Sequence, residues 1–328
     1  MPPRLWPADE LVSALRAPGE PEVAGEVVLV GPPERPIAPD ALADAVRRLA
    51  SLPALVVGWP GWSPSVDLAE LLDVVPASDD EVVEVADALA RHPRAALAAA
   101  LHLRGAHRRD VPDGLVAESA IYSTLLAGPE HRRWREATPV RHPIEVGGDR
   151  LRAYRHGDEL HVVLARPEVR NALDAAMRDQ LLEALAVAEA DPGVRVVLRG
   201  DGPAFCSGGD LDEFGTAPDP PLAHLIRLRR SIGLALHRLA DRTTVVVHGA
   251  CAGSGVELPA FAGRVVARPD ATFVLPELSM GLVPGAGGTV SLPARIGRHR
   301  TAWLVLTGRT IDAGVARAWG LVDAIDLI

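Results

Sequence analysis

Three stretches of this chain combine small residues with isolated polar groups. Phe205-Cys206-Ser207-Gly208-Gly209-Asp210-Leu211 follows an apolar run at Val194–Leu198 and a turn at Gly200–Pro203. That order sets it at the carboxyl end of an expected strand, where α/β folds place ligands. Its small side chains leave backbone amides free to meet one. His248-Gly249-Ala250-Cys251-Ala252-Gly253-Ser254-Gly255-Val256-Glu257-Leu258 follows an expected strand at Thr243–Val247 and should open a helix. Unpaired N–H groups and the positive dipole end of a helix suit negative charge developing on an oxygen. As a dinucleotide fingerprint the stretch is poor, because no acidic ribose partner follows a second strand at the required place. The third stretch, Phe273–Thr289, carries Glu277 in an otherwise apolar, glycine-rich run. Burial there would raise its pKa into the range useful for proton transfer. Taken singly, each stretch also fits an ordinary glycine turn or an exposed loop.

The elements that must hold these stretches read as alternating strands and helices. In the second half Glu159–Leu164 is a strand, Asp174–Ala190 a long helix and Val194–Leu198 the next strand. The first half opens in the same way, with apolar Glu26–Val30, helical Pro39–Ala50 and apolar Ala54–Val57, a βαβ unit. Leu71–Val75 is a further apolar run, and helices are expected over Asp79–Leu89, over Pro93–Leu103 and from about Asp113, the last with Leu115, Ser119, Tyr122 and Leu126 on one face. Gly128-Pro129 breaks that helix. The Pro- and Gly-bearing segment Thr138–Gly148 is the best linker, giving two regions, residues 1–140 and 145–328. Gly320–Ile325 echoes Glu70–Val75, and the shared order of such matches points to an internal duplication.

Bulk properties limit what this scaffold does. An apolar content of 48% with only 4% aromatics predicts an aliphatic core of helices on sheet, hence the α/β class. A net charge of −9 opposes a nucleic-acid or anionic-membrane partner, which would need clustered positive charge. Lysine is absent, so arginine or backbone amides must meet any ligand phosphate. The two cysteines, Cys206 and Cys251, suit a reducing compartment. The beginning, Met-Pro-Pro-Arg-Leu-Trp, lacks an apolar core of signal-peptide length, and no apolar run is long enough to cross a bilayer. The expectation is a soluble, cytoplasmic protein.

In order and register the three stretches resemble the enoyl-CoA hydratase/isomerase, or crotonase, family over roughly Leu160–Asp326. The resemblance implies a spiral of βαβ units, an acyl-coenzyme A thioester substrate, no permanently bound cofactor and no metal. It also implies assembly as a trimer or hexamer. It places the amides of Gly209 and Ser254 at the two oxyanion-hole positions, and Glu257 and Glu277 at the two acidic positions of the hydratases. There, one carboxylate activates water and the other exchanges the proton at Cα. Arg166-Pro167, Arg170 and Asn171-Ala172-Leu173 resemble the segment that closes over the coenzyme. Arg170 is the candidate phosphate contact, and Ala172, Leu173, Ser207 and Gly208 are further coenzyme A candidates. Both carboxylates being present favours hydration of a 2-enoyl-CoA, a step of fatty acid metabolism. Isomerisation, thioester hydrolysis and a non-catalytic acyl-CoA-binding scaffold are the alternatives.

The sequence departs from the family pattern in three places. Pro259 follows Glu257 so closely that it could displace that carboxylate. Gly263 stands where the family usually has an Asp. The C-terminal helices that cover the family's active site do not follow Gly320–Ile325; Leu71–Trp134 resembles them instead and precedes the catalytic stretches. Residues 1–140 are therefore expected to be a degenerate crotonase-like copy whose helices cap the second half. Cys206 and Cys251 are expected to be packing residues rather than nucleophiles, since no His is placed by motif to activate either.

Overall fold

A computed structural model describes residues 5–19, 25–140, 149–217 and 219–326. The expected boundary near residue 145 lies outside the described residues. The chain opens with β1 (Leu5–Pro7), α1 (Ala8–Arg16), β2 (Val27–Gly31), α2 (Pro39–Leu49) and β3 (Leu55–Gly58). The three strands form a parallel sheet in the order β1-β2-β3. The βαβ unit expected over 26–57 is thus present, with one further strand and helix before it. α2 starts with Pro39 in its first turn, followed by Asp40, and ends with Arg47 and Arg48. Each of these suits its end of the helix. A short α3 (Val66–Ala69) precedes Leu71–Val75, from which Val74 bridges Val57 in parallel.

Four longer helices follow: α4 (Asp79–Arg91), α5 (Pro93–Arg104), α6 (Val111–Leu126) and α7 (Pro129–Ala137). Their apolar faces do not join the small core of the first sheet, which is built from residues such as Leu11, Leu49, Val56 and Leu71. Instead Val85, Ala99, Leu115 and Leu125 join the core of the second half. Arg104 ties the two together. Its buried guanidinium donates to both Asp73 carboxylate oxygens at 2.8 and 2.6 Å and to the carbonyls of Leu49, Leu52 and Ala54. A buried cation is tolerated only with such full pairing.

The second half begins with β4 (Leu151–His156), antiparallel to β5 (Glu159–Leu164). Next come α8 (Ala175–Ala190), capped by Asp174 accepting from the Met177 amide, β6 (Arg195–Gly200), α9 (Pro220–Arg229), α10 (Ile232–Arg238) and β7 (Thr243–Val247). β8 (Ala250–Ala252), α11 (Ser254–Glu257), β9 (Arg264–Ala267), β10 (Thr272–Val274), α12 (Gly288–Ile296), α13 (Arg298–Thr307), β11 (Ile311–Asp312), α14 (Ala313–Trp319) and β12 (Ala324–Ile325) complete the chain. The main sheet runs β12-β9-β7-β6-β5-β4, parallel except at β4, and a smaller sheet runs β11-β10-β8. β-Branched runs such as Thr243–Val247 suit strands covered by helices. α13 packs on α4 and α5, while α6 packs on α9 and α12. No helix among the described residues is long and apolar enough to cross a membrane.

Candidate active site

Two of the three chemistry-bearing stretches lie side by side because their small residues permit it. Ala204 bridges Gly249 and Cys206 bridges Cys251, while Leu173 bridges Gly209 on the other side. A Cβ on Gly255 would stand only 2.2 Å from the Cys206 carbonyl oxygen, so glycine alone allows this approach. Gly209 and Ser254 then line one cavity of about 620 Å³. Neither amide meets an acceptor among the described residues. Two unpaired donors at a cavity wall are suited to hold a developing oxyanion.

Glu257 and Glu277 line the same cavity and are buried, but their surroundings differ. Glu257 Oε2 accepts hydrogen bonds from the amides of Ala286 at 2.7 Å and Gly288 at 2.8 Å. Burial, with the neighbouring charges of Glu277 and Glu118, raises its pKa well above the ordinary value, and those two amides oppose the rise. Glu277 Oε2 has no hydrogen-bond partner among the described residues. Burial pushes this carboxyl up to about 8. Two amides therefore favour charge on Glu257, while nothing at Glu277 Oε2 replaces lost water and favours its ionisation.

The turn that holds Glu257 is itself held from the first half of the chain. Glu118, buried on α6, accepts from the Gly287 amide at 2.7 Å and from the Thr289 amide and hydroxyl at 2.8 and 2.6 Å. Burial raises its pKa to about 7. His102 Nε2 stands 2.8 Å from Thr289 Oγ1. Because that hydroxyl donates to Glu118, the imidazole must donate to it, which requires a proton on Nε2, as the neutral Nε2–H tautomer supplies. Burial agrees, lowering the His102 pKa to about 4. Four residues farther along the same helix, Tyr122 lines the cavity and packs on Gly285.

The five residues expected at the coenzyme do not all share one surface. Arg170, Ala172 and Ser207 line a second cleft of about 800 Å³, together with Arg150 and Arg166. Leu173 instead lines the main cavity, and Gly208 lines neither cavity but accepts from the Leu173 amide at 2.8 Å. Arg170 is exposed, in the left-handed region at φ 53°, with no ion-pair partner among the described residues. Arg166 is buried and already paired, with Asp174 at 3.1 Å and Asp210 at 3.3 Å. Of the two, Arg170 is the cation free to meet a phosphate.

The departures leave the carboxylates in place. The helix expected after Gly249 amounts to one turn, Ser254–Glu257, and at Pro259 a 3₁₀ turn replaces it. Pro259 thus ends the helix just beyond Glu257 without removing that side chain from the cavity. At Gly263 a Cβ would lie 2.5 Å from the Ala240 carbonyl oxygen, which leaves no room for a side chain. Cys206 and Cys251 are buried, and burial pushes both thiols up in pKa, the opposite of an activated nucleophile. Among the described residues no group of His, Cys, Asp and Glu is placed to hold a metal ion. The part that Glu118, His102 and Thr289 play in the site escaped the sequence reading. A single Glu on an amphipathic helix normally faces water, and only its position beside Ser119, on the face turned to the second half, could have marked it.

Similarity to known proteins covers the second half. The model of the enoyl-CoA hydratase/isomerase family matches residues 160–326. An enoyl-CoA isomerase/hydratase of Mycosarcoma maydis, fer4, is 33% identical over 175 residues, covering 50% of this chain and 64% of that protein. The 2,3-dehydroadipyl-CoA hydratase of Escherichia coli is 35% identical over 167 residues, covering 51% of this chain and 65% of that protein. The alignments thus span just under two thirds of these relatives' own length. The crystal structure of an enoyl-CoA hydratase from Thermoplasma volcanium superimposes with a TM-score of 0.51 at 33% identity, over 55% of this chain and 72% of that one.

Proposed function

The chain belongs to the enoyl-CoA hydratase/isomerase family, and from that premise we propose that it adds water across the double bond of a 2-enoyl-CoA to give a 3-hydroxyacyl-CoA. The observation that carries this reading is the unequal pair of buried carboxylates in one cavity. Glu257 has two amides that oppose the rise in pKa caused by its burial and its acidic neighbours, whereas Glu277 Oε2 has no partner among the described residues and burial pushes that carboxyl up to about 8. In the proposed step Glu257 takes a proton from water as the water oxygen bonds to Cβ. The displaced electron pair moves to the thioester oxygen, between the Gly209 and Ser254 amides. Glu277 then gives its proton to Cα as the enolate collapses. Net proton transfer from Glu257 to Glu277 restores the starting state. Each of the two amides is worth roughly 10²–10³ in rate.

The coenzyme would lie along the second cleft with Arg170 at a phosphate, and no metal or tightly bound cofactor takes part. The helices α4 to α7 serve as the cap over the site, as expected of residues 1–140 read as a degenerate copy of the family unit. Tyr122 of α6 on the cavity wall supports this role. The direct test is loss of the conjugated absorbance of a short 2-enoyl-CoA with purified protein, with the product identified by mass. A shifted double bond instead of an added water would replace hydration by isomerisation. Free coenzyme A as the product would replace it by thioester hydrolysis.

A further inference from the structure

Behind the main cavity lies a smaller one of about 160 Å³, and Arg178, Arg227, Gly285 and Ala286 line both. Apolar Leu115, Ile232 and Leu258 line it, as do three arginines, Arg178, Arg227 and Arg230. Arg178 and Arg230 share one carboxylate, Asp179, at 2.9 and 3.8 Å. Arg227 has none within 4 Å among the described residues. Its guanidinium lies over the Tyr122 ring at 4.7 Å, and it donates to Ser119 Oγ at 3.0 Å, to the Ser119 carbonyl at 3.3 Å and to Ser123 Oγ. The one acid lining the small cavity is Glu118, and its oxygens are already taken by Gly287 and Thr289. Glu118 offsets the charge of Arg227 through space, but no carboxylate oxygen among the described residues contacts the partly buried guanidinium, so a ligand carboxylate would supply the direct ion pair that it lacks.

We infer that the small cavity receives the distal end of the acyl chain and that Arg227 binds a carboxylate there, so that the substrate class is an enoyl-CoA whose acyl chain is itself a carboxylic acid. This assignment rests on the acyl-CoA reading above. A guanidinium suits a carboxylate, and the neutral hydroxyl and carbonyl partners on Nε and Nη2 leave Arg227 with Nη1 to donate and no direct ion pair among the described residues.

The test is calorimetric binding of adipyl-CoA against hexanoyl-CoA, saturated thioesters of equal chain length that need no turnover. The intact protein is expected to bind adipyl-CoA roughly 10- to 100-fold more tightly, the contribution of hydrogen bonds to a charged group. Arg227→Met is expected to bring the ratio near one, and Arg227→Lys to retain part of it. Equal affinities in the intact protein, or a preference that survives Arg227→Met, would overturn the assignment and leave the hydration reading standing. Binding of neither thioester would overturn the acyl-CoA reading and this assignment with it. Because Arg227 also ties α9 to α6, each variant is first melted; if neither folds, the ratio in the intact protein decides.

Discussion

Glu118 and Glu257 hold one turn between them, taking its amides alternately. Ala286 and Gly288 donate to Glu257, and Gly287 and Thr289 donate to Glu118. One carboxylate belongs to the cavity and the other to α6, 169 residues before Gly287. A change at Glu118 therefore acts on Glu257 through the turn and on both cavity carboxylates through its charge.

The first prediction concerns that coupling. Glu118→Gln keeps the size of the side chain but removes a negative charge that raises the pKa of both Glu257 and Glu277. The alkaline limb of the pH–rate profile, where Glu277 loses its proton, should move to lower pH. A purely structural loss would lower the rate at every pH without moving that limb. Glu118→Ala would also orphan two buried amides, at about 1–3 kcal/mol each, and should lower the melting temperature further than Gln does.

Replacement of the proton carrier is the second. Glu277→Gln should lower kcat for hydration by roughly 10²–10⁴, and the alkaline limb near pH 8 should disappear with it. Glu257→Gln should abolish hydration as well. Double-bond isomerisation that persists in Glu257→Gln and stops in Glu277→Gln would show a reaction needing only one carboxylate.

Stability should depend on pH with an unusual sign. Glu277 holds its proton in the folded chain up to about 8 and Glu118 up to about 7, against an ordinary value of 4.5 for each. Between the two limits the folded state binds more protons than the unfolded one, so their contribution is complete below about pH 4.5 and is lost as pH rises through 7 and 8. Melting temperatures measured from pH 5 to pH 8.5 should fall on this account, and Glu277→Gln should flatten the decline. An equally steep decline in that variant would remove Glu277 as its cause.

Gly253 offers a steric test. Its φ of +49° disfavours any side chain, and a Cβ there would lie 2.5 Å from Glu277 Oε1. Gly253→Ala should displace the carboxyl and lower kcat by roughly 10²-fold, the scale expected for a misplacement of about 1 Å. Acyl-CoA binding, measured by calorimetry, should change far less.

Much of this site could be read in the sequence, because the residues involved are local. Gly209, Ser254, Glu257 and Glu277 sit in short stretches next to apolar runs, and small residues with β-branched neighbours mark such loops. The expected strands and helices of both halves lie where the periodicity puts them, within a few residues, except the helix after Gly249, which is one turn. The strands Arg264–Ala267 and Thr272–Val274 and the helices α1, α7, α9, α10 and α12 to α14 went unread, as did the strands Leu5–Pro7 and Leu151–His156. Of the last two, the first is only three residues long, and the second is exposed beyond Leu151, so neither shows a clear apolar pattern. What local pattern cannot show is pairing across the chain. Nothing around Glu118 announces that its partners are Gly287 and Thr289, and nothing around Arg227 announces Ser119 and Ser123.

The order of these partners along the chain has a consequence for biogenesis. Ribosomal synthesis proceeds from the N-terminus, so Glu118 emerges 169 residues before Gly287 and 171 before Thr289. Through that interval the apolar faces of α4 to α6 have only their own neighbours to cover them, and a carboxylate destined for burial stands in water. Contacts of such separation close slowly, and surfaces left open during synthesis invite aggregation. Recovery of soluble protein should therefore be more sensitive to translation rate and chaperone supply than recovery of a relative whose covering helices are made last. A ribosome-bound chain arrested before residue 285 should expose α6 to protease, and release of the full chain should protect it.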